Sequence, residues 1–319
     1  MKNAYTDVPL IQSFYLPVSG GHRLYVEECG NPQGQAVLFL HGGPGGAINE
    51  AARTFFNPDK YRLILFDQRG CGRSQPFLSI EDNRPQDTIE DIESIRKYLN
   101  IKDWFVFGGS YGSTLALYYA IHFPERVSHL ILRGIFLGRQ EDIDWLYHGG
   151  AGQYYPEEFQ SFQEAIGAES YDNLVVNYYK ELLACKDNKL EFERLCLAWS
   201  RWESGLVKLK PDSLEGLHGS VSPGDLSIAL LEAHYFANHM FWDDDNYILN
   251  HIQAIESIPT DIVHGRFDID CRPIGAYLVA QKLKKANLYI VQDGSHSPYE
   301  EGMFNHLLSI KYSFKNTNL

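Results

Sequence analysis

Trp104–Phe123, WFVFGGSYGSTLALYYAIHF, is the stretch on which the fold turns. Trp104–Phe107 is apolar and β-prone, and Leu115, Ala116, Tyr119 and Ala120 recur at helical spacing. Between them lies Gly108-Gly109-Ser110-Tyr111-Gly112, a match to G-x-S-x-G. A serine on such a strand-to-helix turn sits on strained backbone, and side chains two positions to either side would collide with neighbouring elements. The following helix aims its first N–H groups at the serine, where an oxyanion would form. A five-residue pattern with two glycines also recurs by chance, and a glycine-rich turn with a capping serine satisfies it. The strand before and the helix after are the surroundings a nucleophile needs.

Outward from this turn, continuous apolar runs at Ala36–Leu40, Tyr61–Phe66, Val127–Arg133, Thr260–His264 and Ala286–Val291 read as strands buried on both faces. Ile11–Pro17 and His22–Glu28 read as a hairpin around Ser19-Gly20-Gly21. Thr88–Leu99 is an amphipathic helix, and helices are expected after Gly265-Arg266-Phe267-Asp268 and over about 301–314. Strands alternating with helices predict an α/β fold: a mostly parallel sheet flanked by helices, with right-handed crossovers. From Gly138 to about His251 the texture changes to aromatic-rich, acidic helical segments. We read residues 1–137 and 252–319 as the sheet-bearing core and 138–251 as an inserted helical cap over the strand ends. A separate second domain is the alternative.

At 319 residues the chain can bury a large core without staples. Its net charge is -13, from 28 basic and 41 acidic residues, and it has no basic run, which argues against nucleic acid or an anionic membrane as partner. Five cysteines without metal-type spacing suit a reduced, cytoplasmic setting. The first residues, MKNAYTDVPLIQSFYL, lack the apolar stretch of a signal peptide, and no segment is apolar enough to span a bilayer.

Two glycine-rich turns follow early strands. His41-Gly42-Gly43-Pro44-Gly45-Gly46 lets backbone N–H groups approach a ligand closely, as an oxyanion loop does, although an ordinary tight turn can be spelled this way. In Asp67-Gln68-Arg69-Gly70-Cys71-Gly72-Arg73-Ser74, Asp67 and Arg69 read as a network that shapes the loop. Late in the chain an acid follows one strand and a histidine the next. The order Ser110, Asp268, His296 is that of an α/β-hydrolase triad. His296 takes and returns the proton, and Asp268 fixes its tautomer. Asp270 and Asp261 are rival acids; Asp268 lies a short turn beyond its strand, Asp270 comes later and Asp261 sits at the other end.

HGGPGG (His41–Gly46), DQRGCGRS (Asp67–Ser74), GGSYGSTLAL (Gly108–Leu117), PERV, RGIFLGR, GRFD and GSHS together resemble the proline iminopeptidases of the α/β-hydrolase fold. The resemblance runs nearly end to end and includes EECGNP and the cap. It implies a serine aminopeptidase that releases N-terminal proline from peptides through a prolyl-enzyme, with no metal or other cofactor. It places the oxyanion donors at Gly43 and Tyr111, and two glutamates for the substrate's free amine at Glu203 and Glu232. By composition alone those two read as solvated helix residues. A buried ammonium, however, needs an anionic partner. The resemblance further implies a proline pocket walled by Phe136, Tyr147 and Cys271. Tyr111 stands where many relatives have tryptophan, and Asn83-Arg84-Pro85-Gln86 replaces a stretch usually richer in threonine. An esterase, lactonase or amidase on the same machinery, and a hydrolase-fold ligand receptor without chemistry, are the rival readings.

Overall fold

A computed structural model describes residues 5–167, 172–210 and 220–310. Eight strands form one sheet in the order β1-β2-β4-β3-β5-β6-β7-β8. They are β1 (Leu10–Pro17), β2 (Arg23–Gly30), β3 (Gln35–Leu40), β4 (Tyr61–Phe66), β5 (Trp104–Ser110), β6 (Val127–Ile135), β7 (Thr260–Gly265) and β8 (Ala286–Val291). The hairpin β1–β2 and the pair β2–β4 are antiparallel, and the remaining pairs are parallel.

The apolar runs are continuous because each strand feeds two cores. Side chains alternate across a strand, so neighbours point to opposite faces. Leu38, Leu40, Trp104, Val106, Leu130 and Leu132 join one cluster with Ile89, Ile92 and Ile95 of α2 (Pro85–Tyr98) and Leu115 and Ala116 of α3 (Tyr111–His122). Val37, Phe39, Phe105, Phe107 and Ile131 face the other way, onto Met303, Phe304 and Leu307 of the last helix, Glu301–Ser309. The part of that helix expected beyond residue 310 lies outside the described residues.

Between β6 and β7 every described element is helical. Five helices matter for the site: α4 (Gln140–Tyr147), α5 (Pro156–Glu164), α6 (Leu174–Ala184), α7 (Lys189–Val207) and α8 (Pro223–Ala237). Their aromatics pack on one another: Phe162 stacks on Tyr178 at 4.4 Å, and Tyr147 lies 4.7 Å from Trp199. This is where the aromatic-rich texture goes. Helices without a sheet to lie on bury large rings against each other.

The helical segment is tied to the sheet by long-range polar contacts. Ser227 Oγ of α8 donates to Gly45 O at 2.7 Å. Tyr235 Oη donates to Asn83 Oδ1 at 2.9 Å, and Gln86 Nε2 to Phe241 O at 2.8 Å. Asn83 and Gln86 come from the stretch that departs from the iminopeptidase pattern, so that stretch has a place here in seating α8.

Candidate active site

Ser110 ends β5 and precedes α3 with φ 57° and ψ -133°, outside the regions an L-residue prefers. Holding it there costs about 1–3 kcal/mol, which the packing around it must supply. The flanking glycines show how tight the turn is. A Cβ at Gly108 would lie 2.1 Å from Gly112 O, and one at Gly112 would lie 2.2 Å from Leu40 O. Tyr111 opens α3, so its N–H belongs to the first turn and has no acceptor within the helix.

The loop after β3 lies against Ser110: a Cβ on Gly42 would be 3.0 Å from Ser110 Cβ. Gly43, at φ 111°, lines the same cavity as Ser110. Two buried side chains, Asp67 and His41, hold this loop. Asp67 Oδ1 accepts Ile48 N at 2.7 Å, and its Oδ2 accepts the backbone N of Arg73 at 2.9 Å. Gln68 N donates to His41 Nε2 at 3.1 Å, so Nδ1 carries the proton and donates to Gly42 O at 2.9 Å. Burial keeps His41 below its ordinary range, consistent with a neutral, structural ring. Arg69 makes a fork to Asp91 at 2.7 Å. Asp67 and Arg69 therefore shape the Asp67–Ser74 loop, as expected: Asp67 accepts Arg73 N within it, and Arg69 ties it to Asp91 of α2.

His296 follows β8, and its Nδ1 meets Asp268 Oδ2 at 2.9 Å. The other oxygen of Asp268 accepts Cys271 N at 2.7 Å. Burial opposes the charge on Asp268, but His296 and His264 hold it below the usual carboxylate range. His264 is itself fixed: Ile135 N donates to its Nδ1, and its Nε2 donates to Cys271 O at 2.7 Å. On the opposite edge of the imidazole, Nε2 faces Arg133 Nη1 at 3.1 Å and Asp270 Oδ2 at 3.2 Å. Burial would lower the pKa of His296, and the charges of Asp268 and Asp270 raise it above the ordinary histidine value. Among the described residues no hydrogen bond joins Ser110 Oγ to His296. The two meet around one cavity through Asp270, which lines it beside Ser110 and touches His296. Asp261, the third acid considered, pairs with His129 at 2.8 Å, away from this cluster.

That cavity is lined by Gly43, Ser110, Phe136, Leu146, Glu203, Glu232, Phe236, Asp270 and Cys271. Glu203 comes from α7 and Glu232 from α8, and both face the space above Ser110. Glu232 is only 5% exposed and accepts Trp199 Nε1 at 2.6 Å. Glu203 accepts Tyr147 Oη. Burial, with the charge of Asp270, pushes Glu203 up to about 8. Burial and the charge of Glu203 push Glu232 well above its usual value. Carboxylates shielded from water and crowded together hold protons unless a cation joins them. The cavity is narrow, about 10 Å³, close to the space one water needs.

A family model described as α/β hydrolase fold matches residues 35–303. A probable proline iminopeptidase of Leptolyngbya boryana is 41% identical over 309 residues, covering 97% of this chain and 95% of that protein. The proline iminopeptidase of Neisseria meningitidis serogroup A is 45% identical over 288 residues, covering 88% and 89%. The chain belongs to the proline iminopeptidase family. Among solved structures, a putative lipase from Acinetobacter baumannii superposes with TM-score 0.62 at 19% identity, covering 94% of this chain and 89% of that one. A proline iminopeptidase-related protein from Thermus thermophilus gives TM-score 0.57 at 21% identity, covering 89% and 90%. At such identities these two show the shared fold alone.

In this iminopeptidase-family chain one expected pocket wall lies elsewhere. Tyr147 is fully buried and does not line the cavity with Phe136 and Cys271. It lies behind Glu203 and holds it, because a phenol can donate to a carboxylate that would otherwise be buried alone. Three contributors were not read from the sequence: Arg133, Asp270 as a neighbour of His296 Nε2, and Trp199. A buried acid two residues past Asp268 was a visible signal for the second. The third could be suspected from an indole four residues before Glu203 on the same helix.

Proposed function

We propose that this protein is a serine aminopeptidase that releases N-terminal proline from peptides. The observation that carries this reading is the placement of Glu232, buried, and Glu203, half-buried, in one cavity with Ser110. An esterase needs the serine and the histidine. It has no use for two carboxyl groups crowded above the serine that stay uncharged until a cation arrives.

In this mechanism the prolyl ammonium enters between Glu203 and Glu232, and its charge draws both acids into their ionised forms. The ring packs against Phe136, Phe236, Leu146 and Cys271. Since the cavity has room for about one water, these side chains must part to admit it. Ser110 Oγ attacks the prolyl carbonyl and passes its proton to His296 Nε2. The N–H groups of Tyr111 and Gly43 receive the oxyanion. The imidazolium, held by Asp268, protonates the leaving amine, and water then cleaves the prolyl-enzyme by the same route in reverse.

The test is a panel of aminoacyl-2-naphthylamides, free and N-blocked, with p-nitrophenyl acetate as a plain ester. Proline-2-naphthylamide should have the highest kcat/KM, and blocking its nitrogen should abolish turnover. A blocked amide or simple ester that reacts faster would replace the aminopeptidase reading with an esterase or amidase one. Full turnover by Ser110→Ala would remove the serine mechanism.

A further inference from the structure

We propose that a second cavity beside Ser110 receives the residue that leaves, and that Arg133 binds the free carboxylate of a proline dipeptide there. This rests on the aminopeptidase reading above and adds a substrate class to it: dipeptides of proline followed by an apolar residue.

The cavity has a volume of about 170 Å³. Phe39, Phe55 and Phe107 give it apolar walls, Pro298 and Tyr299 border it from the loop after His296, and Arg133 closes one side. Gly42 and Gly109 also line it, and they separate it from Ser110 by backbone alone, since Gly42 and Gly109 flank the serine in space and in sequence. Arg133 can lie over Gly109 because that residue has no side chain: a Cβ there would lie 2.0 Å from Arg133 Nε.

Arg133, half-buried at the edge of this cavity, differs from the buried arginines of this protein. Arg69 pairs with Asp91 at 2.7 Å, Arg96 with Glu93 at 2.7 Å and Arg139 with Asp142 at 2.9 Å. Among the described residues, Arg133 forms no ion pair with a carboxylate. Its protein acceptors are His296 Nε2 at 3.1 Å and His296 O at 3.2 Å, both reached by Nη1. Its Nε is buried without a hydrogen-bond partner. Burial also pulls this guanidinium below its ordinary range. Asp268 and Asp270 act on this charge without touching it, and a guanidinium at a cavity wall with an unpaired N–H has room for a carboxylate from outside the chain.

The reach is right for one particular anion. The leaving nitrogen must come within about 3 Å of His296 Nε2 to take its proton. One residue spans about 3.3–3.6 Å, and a charge-assisted hydrogen bond adds about 2.8 Å. A guanidinium about 6 Å from the leaving nitrogen therefore meets the carboxylate one residue away. Arg133 Nη1, 3.1 Å from Nε2, lies at most about 6 Å from a nitrogen that takes its proton there. In a longer peptide the same position holds a neutral amide, which cannot neutralise the guanidinium. The side chain of the second residue faces the phenylalanine walls.

The experiment compares kcat/KM for Pro-Phe with that for Pro-Phe amide, following released proline at low ionic strength. Wild type should favour the free acid by about tenfold, the effect of one charge-assisted contact. A chain of net charge -13 by itself works the other way, favouring the cationic amide over the zwitterionic acid. In Arg133→Gln the preference should fall to about one or below. The ratio cancels any general damage to His296. Equal rates on acid and amide in wild type, or a preference that survives in Arg133→Gln, overturns the proposal. If Arg133→Gln does not fold, product inhibition of wild type decides: phenylalanine should compete better than phenylalanine amide, and the reverse order overturns the proposal. Proline-2-naphthylamide lacks the carboxylate, so its turnover by wild type reports on the aminopeptidase reading separately.

Discussion

At the scale of single residues, the site is a contest for one imidazole. Asp268 holds Nδ1 of His296, while Asp270 and Arg133 both approach Nε2, the atom that accepts the proton from Ser110 in the proposed mechanism. The loop-length argument chose Asp268 over Asp270 from sequence, and Asp268 is the acid on Nδ1. What sequence could not give is that the chain turns back so that Asp270 reaches the other nitrogen. Two acids in one short turn after β7 look interchangeable in a string, and only the direction of the turn separates them. Asp270 sits among Asp268, Glu203, Cys271 and Arg133, and its charge stabilises the imidazolium. A histidine with a raised pKa loses its base form at higher pH than usual. The acid limb of kcat/KM in wild type should therefore lie above about 6.5, the ordinary histidine value. Asp270→Asn removes one of the two charges that raise it, so the limb should move to lower pH. A pH–rate profile for both proteins checks this. A limb that stays in place would mean that Asp268 alone sets the pKa.

At the scale of elements, the glycine-rich loop after β3, the proposed oxyanion loop, is clamped between the sheet and α8. Asp67 and His41 hold it from below. From above, α8 packs so closely that a Cβ on Gly45 would lie 2.3 Å from Ser227 O, and Gly45 itself sits at φ 106°. Gly45→Ala faces a steric clash with backbone and a conformation alanine rarely adopts. It should destabilise by about 2 kcal/mol or more and lower kcat by displacing Gly43. Ser227→Ala removes the hydrogen bond to Gly45 O, with the longer contacts to Pro223 O and Gly224 O, for about 1 kcal/mol. Denaturant unfolding and steady-state kinetics on both variants test the clamp. A Gly45→Ala protein as stable and as fast as wild type would mean that loop and helix move independently. The four glycines around Pro44 were visible in the sequence as a close-approach signal. The residue they approach was not, because Gly45 and Ser227 are far apart along the chain. The same holds for Arg133 and the space left by Gly109. Periodicity assigns both to strands but says nothing of a missing side chain opposite a guanidinium.

At the scale of the whole molecule, the protein keeps two uncharged acids inside a helical segment that is otherwise packed with aromatic rings. The function and the stability of that arrangement pull in opposite directions. Folded, Glu203 titrates at about 8 and Glu232 also well above its usual value, whereas in the unfolded chain both ionise near 4.3. Above that value the unfolded state binds fewer protons than the folded one, so stability falls as pH rises. The loss accumulates from about 4.3 and, for Glu203, levels off above about 8. Glutamine keeps a hydrogen-bonding oxygen for Tyr147 or Trp199 and carries no charge to desolvate. Glu203→Gln and Glu232→Gln should therefore raise Tm over wild type at pH 8 and have little effect at pH 4. The same substitutions should cut kcat/KM for proline-2-naphthylamide far more than for p-nitrophenyl acetate, which brings no ammonium. Melting curves across pH, set beside rates on the two substrates, read both effects in the same proteins. A Tm that drops at pH 8, or equal losses on amide and ester, would make these glutamates supports of the fold and would leave the substrate's ammonium without its anionic partners.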